Sequence, residues 1–211
     1  MFITLEGIEG SGKTTLARAL AARLEERGRS CLITREPGGS RLGKELRSLL
    51  LRSDSVVNPT AELFLFLADR AQHVQDVVRP ALAEGRIVLC DRFVDSTLVY
   101  QGSGRGFEAD ELRQLCLLAT GGLWPELTFV LDLDVYYGLE RAAQRHKLEN
   151  TFAAEGRFEA ESMAFHEKVR AGFLHLAATE PGRVVALNGS AGPEEVLEEA
   201  WNVLLERGLV A

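Results

Sequence analysis

The sequence contains few residues of several types, and each shortage excludes a class of protein. It has only three cysteines, Cys31, Cys90 and Cys116, and this odd number does not suggest a disulfide framework. We interpret them as reduced, mostly buried thiols in preference to catalytic or metal-bound cysteines. No apolar run approaches the roughly 18 residues needed to cross a bilayer. The first residues, MFITLEG, lack the pattern of a signal peptide. We therefore expect a soluble, cytoplasmic protein.

Positive charge is also scarce. The chain has 24 lysines and arginines against 31 aspartates and glutamates, a formal net charge of -7. Surfaces that coat nucleic acid normally carry a basic excess, so we predict no nucleic-acid partner. We also predict no membrane partner, because no apolar run is long enough to cross a bilayer. A local cluster of arginines can still bind a small anion. Lysine is the rarer base, and it occurs only at Lys13, Lys44, Lys147 and Lys168.

The sequence does contain a regular alternation of strand-like and helical patterns. Apolar runs suited to strands lie at 2–7, 30–36, 86–92, 127–134 and 182–188, and helical patterns lie between them and from Pro193 to the end. Such alternation predicts an α/β fold, a five-stranded parallel sheet with helices on both faces. We expect one domain over 1–211. The stretch 147–158, KLENTFAAEGRF, has weak periodicity and is predicted to be a mobile excursion.

A phosphate-binding motif follows the first predicted strand. The stretch GIEGSGKT fits G-x-x-x-x-G-K-[ST] and lies between a predicted strand and a predicted helix, as this motif requires. Glycines let backbone N–H groups surround phosphate oxygens, the lysine neutralises charge, and the hydroxyl can bind Mg²⁺. The sequence thus predicts a P-loop for ATP phosphates. Its residues are Gly7, Ile8, Glu9, Gly10, Ser11, Gly12, Lys13, Thr14 and Thr15.

The rest of the chain narrows the kind of P-loop protein. The D-x-x-G and N-K-x-D strings of GTPases do not occur in the sequence. The third predicted strand instead ends in Asp91 and Arg92. An aspartate there suits a position near a metal ion, and the arginine would point into the crevice at the carboxyl ends of the strands. A positive charge beside the nucleotide indicates a second anion, and therefore transfer between two phosphorylated species.

Six segments, taken in order and with their spacing, resemble thymidylate kinases over nearly the whole chain. They are GIEGSGKTT, REPGGSRLG, LFLFLADRAQH, DRFVDSTLVYQGSGRG, DLDVYYGLERA and GRFEAESMAFHEKV. The resemblance implies a three-layer P-loop NTPase fold and a homodimer. It also implies Mg²⁺-dependent transfer of the γ-phosphate of ATP to dTMP, giving dTDP and ADP.

The resemblance also implies roles for individual residues. Glu9 meets the 3′-hydroxyl of the acceptor sugar, Arg92 holds the acceptor phosphate with Arg35 nearby, and Tyr100 excludes ribonucleotides. Phe66 stacks on thymine and Arg70 points at a base carbonyl, although Phe66 taken alone would more often belong to the core. The remaining acceptor residues are Pro37, Ser96, Thr97 and Gln101. The metal is assigned to Thr14, Asp91 and Glu36, and the Glu36–Pro37 bond is a candidate cis peptide.

The four variable P-loop positions carry no base, so the chain resembles the type with basic residues in the lid. We expect a lid over about 141–158, and the candidates for its catalytic arginine are Arg141, Arg145 and Arg157, with Lys147 possible. Arg157 and Arg145 rank first. An arginine that arrives only on closure accelerates related reactions by about 10³–10⁵. For each of them, a solvated charge is the alternative.

Two alternatives to the predicted activity follow from the P-loop alone. One is a small-molecule kinase with a different nucleotide or nucleoside acceptor. The other is a nucleotide-binding module that transfers nothing. For the homodimer, the apolar positions Leu63, Leu67, Val74 and Val77 form a candidate interface or part of the core.

Overall fold

The computed structural model describes residues 1–210, in which five parallel strands form one sheet. The strands are β1 (Phe2–Glu6), β2 (Cys31–Arg35), β3 (Ile87–Asp91), β4 (Leu127–Asp132) and β5 (Val184–Asn188). They lie in the order β2-β3-β1-β4-β5. The parallel α/β fold predicted from the sequence is confirmed, because helices connect the strands and cover both faces of the sheet.

Ten α-helices accompany the sheet within the described residues. They are α1 (Lys13–Glu25), α2 (Arg41–Leu51), α3 (Pro59–His73), α4 (Arg79–Ala83), α5 (Val94–Thr97), α6 (Ala109–Thr120), α7 (Val135–Glu149), α8 (Phe152–Glu155), α9 (Met163–Thr179) and α10 (Pro193–Glu206). Several begin at polar residues whose side chains accept a hydrogen bond from the first turn, among them Ser40, Asn58 and Ser162.

Two π-helical segments were not predicted from the sequence. Val74–Val78 joins α3 to α4, so the continuous helical stretch formed by the three segments contains a π turn. Leu98–Gly104 follows α5 directly. The wider turn changes which side chains share a face, and π segments often occur at functional sites. The second segment carries Tyr100 and Gln101, two of the predicted acceptor residues.

The core has two parts, one on each face of the sheet. Alternate residues of β1 point to opposite sides: Phe2 joins the cluster with α3, α6 and α9, whereas Ile3 and Leu5 join the cluster with α1 and α10. Trp201 of α10 is fully buried in this second cluster. Both clusters close over the strands and leave the carboxyl ends of β1, β2 and β3 for the site.

Two expectations about surface segments need correction. Leu63, Leu67 and Val74 are buried, so of the two alternatives given for this helical face the core is correct and the interface is not. The expected excursion over 147–158 is partly helical, because α7 continues to Glu149 and α8 follows it. In residues 1–210 there is also no helix of the length and apolarity needed to span a bilayer.

Candidate active site

The P-loop wraps around the ammonium group of Lys13. Lys13 Nζ donates to the carbonyl oxygens of Gly7 at 3.1 Å and Ile8 at 2.7 Å, and to Ser11 Oγ at 3.2 Å. Burial, followed by the nearby charge of Arg92, lowers the pKa of Lys13 to about 8. Gly12 precedes α1 with φ of 102°, a left-handed conformation that favours glycine. Among the described residues no side chain caps α1, so its first N–H groups remain free for phosphate oxygens.

Two side-chain oxygens lie close together at the start of α1. Thr14 Oγ1 donates to Asp91 Oδ2 at 2.5 Å. Asp91 ends β3, and its backbone lies in register with Leu5 of β1 and Arg35 of β2, so the ends of all three strands share one edge. Hydroxyl and carboxylate oxygens are ligands that suit Mg²⁺.

Glu9 of the P-loop forms a cluster with Arg92 and Tyr100. Glu9 Oε1 accepts from Arg92 Nη2 at 2.9 Å and from Tyr100 Oη at 2.6 Å, and the Arg92 guanidinium lies 4.9 Å from the Tyr100 ring centroid. Burial alone would raise the pKa of Glu9, but Arg92 above all, with His166, Lys13 and Tyr100, holds it well below its usual range. Glu9 is therefore an ionised acceptor.

The backbone of Arg92 is strained. Its φ of 71° lies in the left-handed region, which is uncommon for residues other than glycine. The conformation is held by a hydrogen bond from its N–H to Leu5 O at 2.9 Å and by the chain that follows, where Phe93 N–H donates to Glu6 at 2.7 Å. Such strain persists where surrounding structure enforces it, commonly at active sites. It directs the Arg92 guanidinium toward Glu9.

The buried carboxylate of Glu6 holds the turn after β3 in place through hydrogen bonds. Glu6 Oε1 accepts from the backbone N–H groups of Phe93 and Ser96, and Glu6 Oε2 accepts from Ser96 Oγ at 2.6 Å. Burial, followed by the neighbouring Asp95, raises the pKa of Glu6 to about 7. Ser96 is therefore tied to the protein through both its backbone and its side chain.

Arg70 lies in a network beside the predicted base site. Its Nε donates to Glu36 Oε2 at 2.8 Å, its Nη1 to Thr97 Oγ1 at 2.8 Å, and its Nη2 to Phe93 O at 2.8 Å. The other oxygen of Glu36 contacts His73 Nδ1 at 2.8 Å. The Glu36–Pro37 peptide is cis, as the resemblance suggested. Both oxygens of Glu36 thus have partners in the protein.

Gln101 belongs to a second buried network. Its Nε2 donates to Glu62 Oε1 at 2.9 Å, and Glu62 also accepts hydrogen bonds from Arg105 and Arg157. Burial opposes ionisation of Glu62, but hydrogen bonds from Arg105, Gln101 and Arg157 hold its pKa below the usual range. An ionised carboxylate only accepts, so the amide nitrogen of Gln101 must face Glu62 and its oxygen faces away.

One cavity of about 550 Å³ joins these groups. It is lined by the P-loop from Glu9 to Thr15, by Asp91 and Arg92, and by residues of both networks. A smaller cavity of about 210 Å³ lies between the P-loop and the turn that follows β5, at Gly189 and Ala191. Arg141 lines both cavities, and its Nη1 donates to Gly189 O at 3.3 Å.

Three comparisons with known proteins agree on one family. A sequence model of the family described as thymidylate kinase matches residues 5–200. The chain belongs to the thymidylate kinase family. It is 55% identical over 205 residues to a thymidylate kinase of Nitratidesulfovibrio vulgaris, covering 97% of this chain and 92% of the relative. A thymidylate kinase of Synechococcus sp. is 52% identical over 98% of this chain and 95% of its own.

A solved structure supports the same family. The crystal structure of thymidylate kinase from Ehrlichia chaffeensis matches with a TM-score of 0.75 and 34% identity. The match covers 97% of this chain and 98% of that one. Membership of the thymidylate kinase family disfavours both alternatives that the P-loop alone had left open.

Most of the predicted site residues line the larger cavity, although their roles stay predictions. They are Glu9, Gly10, Ser11, Gly12, Lys13, Thr14, Thr15, Arg35, Glu36, Pro37, Phe66, Arg70, Asp91, Arg92, Ser96, Thr97, Tyr100, Gln101, Arg141 and Arg145. Gly7 and Ile8 contribute the carbonyl oxygens that hold Lys13 instead.

Two predicted roles do not fit the geometry of the site. Arg157 does not line the cavity; it donates to Leu50 O at 2.8 Å and pairs with the buried Glu62, so its charge is used within the protein. Glu36 has Arg70 and His73 on its two oxygens, which leaves it poorly placed to bind a metal directly. Asp91 and Thr14 fit that role better.

Sequence reasoning missed several residues of the site. Arg18 and Arg47 line the cavity, and Arg47 forms a two-bond ion pair with Glu155 of α8, at 2.9 and 3.0 Å. Phe158 also lines it, with ring centroids 6.0 Å from Phe66 and 5.6 Å from Tyr100. The GRFE segment that carried the resemblance offered a signal for Phe158. Arg47 gave none, since an arginine on an amphipathic helix usually faces solvent.

Proposed function

We propose how this chain carries out the reaction of its family, in which it transfers the γ-phosphate of ATP to dTMP and forms dTDP and ADP. The observation that supports this most strongly is the cavity that joins the P-loop to Arg92, Glu9 and Tyr100. Two anionic substrates need two cationic sites that face one shared space. Lys13 provides one site and Arg92 the other.

On the donor side, the P-loop N–H groups and Lys13 hold the phosphates of ATP. Phosphate oxygens would replace the three loop oxygens around Lys13 Nζ and favour its charged form. The second cavity lies between the P-loop and Gly189, and its position and volume suit the adenine of ATP. Arg141 lies where the two cavities meet. This assigns Arg141 to the donor rather than to the transferred phosphoryl group.

The residues present fit Mg²⁺. Thr14 Oγ1 and Asp91 Oδ2 lie 2.5 Å apart beside the P-loop, and both are hard oxygen donors. Within residues 1–210, no cluster of three or more histidine, cysteine or acidic side chains forms a metal cage. Mg²⁺ in such enzymes is held by one or two protein oxygens together with substrate phosphates and water. When bound, it would neutralise charge on the phosphates.

On the acceptor side, Arg92 binds the dTMP phosphate and Glu9 accepts a hydrogen bond from the sugar hydroxyl. Arg92 uses one N–H for Glu9 and one for Ser96, so its other N–H groups remain available to a phosphate. The Tyr100 ring lies beside Glu9 and would occupy the space of a 2′-hydroxyl. The acceptor phosphate is already ionised near neutral pH, so no general base is required.

The base site would read thymine through Gln101 and Phe66. The Gln101 oxygen faces away from Glu62 and would accept a hydrogen bond from the thymine N3–H, which cytosine lacks. Arg70 spends four of its five N–H groups on Glu36, Thr97, Cys116 and Phe93 O, leaving one for a base carbonyl. Selectivity for dTMP over dCMP follows.

An acceptor panel tests this function. ADP formation would be measured with ATP and dTMP, dUMP, dCMP, dGMP, AMP or shikimate. We expect dTMP to give the highest kcat/KM. Preference for another acceptor would contradict the roles of Phe66, Gln101 and Tyr100. ATP turnover that is indifferent to every acceptor would contradict phosphoryl transfer itself.

We also propose a homodimer in the cytoplasm. Phe64 of α3 and Leu117 and Leu118 of α6 are exposed apolar side chains on two helices that pack together. This surface replaces the buried positions suggested by the sequence. The three cysteines are buried free thiols, the state that a reducing compartment maintains.

A further inference from the structure

His166 of α9 is a buried titratable residue that has no part in the roles described above. Its side chain is fully buried, and within residues 1–210 neither ring nitrogen has a hydrogen-bond partner. Buried polar groups without partners are rare, and each one needs an explanation. A neutral, purely structural core position would be filled at lower free energy by an apolar side chain.

A second unpartnered group lies directly beside His166. Glu9 Oε2 is buried and accepts no hydrogen bond in the described chain, while Glu9 Oε1 takes both Arg92 and Tyr100. His166 Nδ1 is 3.4 Å from Glu9 Oε2. A carboxylate only accepts, and an imidazole N–H donates, so the two unpartnered groups are complementary. A small rotation of either side chain would form the bond.

The packing of α9 holds His166 in this position. A Cβ on Gly104 would lie 2.6 Å from Phe165 Cε2, and a Cβ on Gly172 would lie 2.5 Å from Ser103 Oγ. The two glycines therefore let α9 approach the π segment that carries Tyr100. His166 lies behind Glu9, because Glu9 lines the cavity and His166 does not.

We propose that His166 is a positioning residue that donates from Nδ1 to Glu9 Oε2 and so directs Glu9 Oε1 toward Arg92, Tyr100 and the sugar hydroxyl of the acceptor. This inference rests on the proposed contact between Glu9 and that hydroxyl. The hydrogen bond from His166 would connect α9 to the acceptor site, on the side of Glu9 away from the substrate.

Kinetics with two variants of His166 and one control variant test the proposal. His166→Leu removes the donor, and we expect the KM for dTMP to rise about tenfold, since a hydrogen bond to a charged group is lost. The KM for ATP should not change. His166→Asn keeps an N–H near the position of Nδ1, so its KM for dTMP should return most of the way to the wild-type value. His175→Leu, an exposed position on the same helix, is the matched control and should behave as the wild type.

A second acceptor separates positioning from folding. With 3′-deoxythymidine monophosphate, which lacks the hydroxyl, His166→Leu should differ little from the wild type. An equal loss with both acceptors, or no rescue by asparagine, would overturn the role of His166. If the wild type itself does not distinguish the two acceptors, the proposed sugar contact of Glu9 fails, and this inference fails with it.

Ring-nitrogen NMR of the wild type covers the case in which His166→Leu does not fold. The His166 resonances are assigned by comparison with His166→Asn, and we expect a protonated Nδ1. An unprotonated Nδ1 cannot donate to Glu9 and would overturn the proposal.

Discussion

Lys13 has little contact with solvent, and three oxygens of its own P-loop surround its ammonium group. These oxygens satisfy the charge only until phosphates arrive. Burial lowers the pKa of Lys13 to about 8, and phosphates nearby would raise this pKa again by favouring the charged form. A residue held in this way contributes mainly to the binding and stabilisation of transferred charge.

Replacing Lys13 by alanine should therefore remove most of the activity. We expect kcat for the dTMP reaction to fall by about 10²–10³, the usual effect of removing a group that stabilises the transition state. Steady-state kinetics at saturating ATP and dTMP measure it. Lys44→Ala, at an exposed position of α2, is the control and should retain full activity. A loss below tenfold would contradict the role given to Lys13.

Asp69 offers a separate test of buried charge. Its Oδ1 accepts from Gly38 N–H at 3.0 Å, and its Oδ2 is buried without a partner in the described chain. Burial, followed by the charge of Glu36, raises its pKa from 3.8 to about 6. The folded protein thus binds this proton more tightly than the unfolded chain does. That contribution to stability is lost as the pH rises from about 4 to about 6.

Asp69→Asn should remove this pH dependence. Relative to the variant, the wild type should lose about 1–3 kcal/mol of unfolding free energy between about pH 4 and pH 7. Urea unfolding of both proteins at each pH gives the difference, in which the other titrating groups largely cancel. A difference that stays constant would show that Asp69 titrates normally, and one that grows in favour of the wild type would show that folding lowers its pKa.

At the scale of elements, the P-loop and α7 touch through two glycines. A Cβ on Gly138 would lie 2.6 Å from Glu9 O, and a Cβ on Gly10 would lie 2.1 Å from Gly138 O. Gly10 also has a φ of 71°, which favours glycine. Backbone meets backbone here, so neither side can yield by changing a rotamer. The helix that carries Arg141 and Arg145 therefore rests directly on the phosphate loop.

Gly138→Ala should displace the P-loop. We expect the KM for ATP to rise at least about tenfold, since small displacements of a binding site have large kinetic effects. Gly182→Ala is the matched control, because a Cβ there would meet nothing within 4 Å. Steady-state kinetics with ATP varied at saturating dTMP measure this KM. Normal ATP affinity in Gly138→Ala would mean that the contact yields easily.

The lid segment contains two arginines with different surroundings. Arg145 lines the cavity, is about half exposed and lies 3.5 Å from Glu159, a weak contact that it can leave. Arg157 is nearly buried and tied to Glu62 and to Leu50 O. Exposed ion pairs contribute little to stability, whereas a buried carboxylate depends on its partners. We therefore propose a catalytic role for Arg145 and a structural role for Arg157.

Glutamine substitutions distinguish the two arginines. Arg145→Gln should lower kcat by about 10²-fold or more with little change in stability. Arg157→Gln should lower the free energy of unfolding by about 1–3 kcal/mol, because Glu62 loses a charged donor, and should affect kcat less. Single-turnover rates and denaturant unfolding of each variant are the two measurements. The reverse pattern would restore Arg157 as the catalytic residue.

At the scale of the whole molecule, the apolar surface on α3 and α6 predicts self-association. We expect sedimentation equilibrium to show a dimer and the double variant Phe64→Ser, Leu118→Ser to sediment as a monomer. Apolar side chains at the centre of an interface dominate its binding free energy. Val56→Ser, at a fully exposed position outside these helices, should remain dimeric. A monomeric wild type would remove the dimer from the proposed function.

The fold and the P-loop were predictable because their signals are local. Apolar runs separated by helical patterns predict parallel strands, and a glycine-rich turn before a helix predicts phosphate binding. The two π segments were not predicted, because they depend on packing rather than on residue period. Arg157 shows the same limit: its place in the sequence suits a lid base, but a buried glutamate elsewhere determines where it points.

Local sequence patterns were enough to predict the order of strands and helices, the P-loop with Lys13 and the resemblance to thymidylate kinases, because each depends on neighbouring residues or on fixed spacings. Which charged groups meet depends on how the chain folds in space. Glu9 meets Arg92 and His166, Glu62 takes Arg157, and Glu36 takes Arg70, across 34 to 157 positions of chain. Pairing of buried charges follows distance in space, and spacing along the chain does not record that distance.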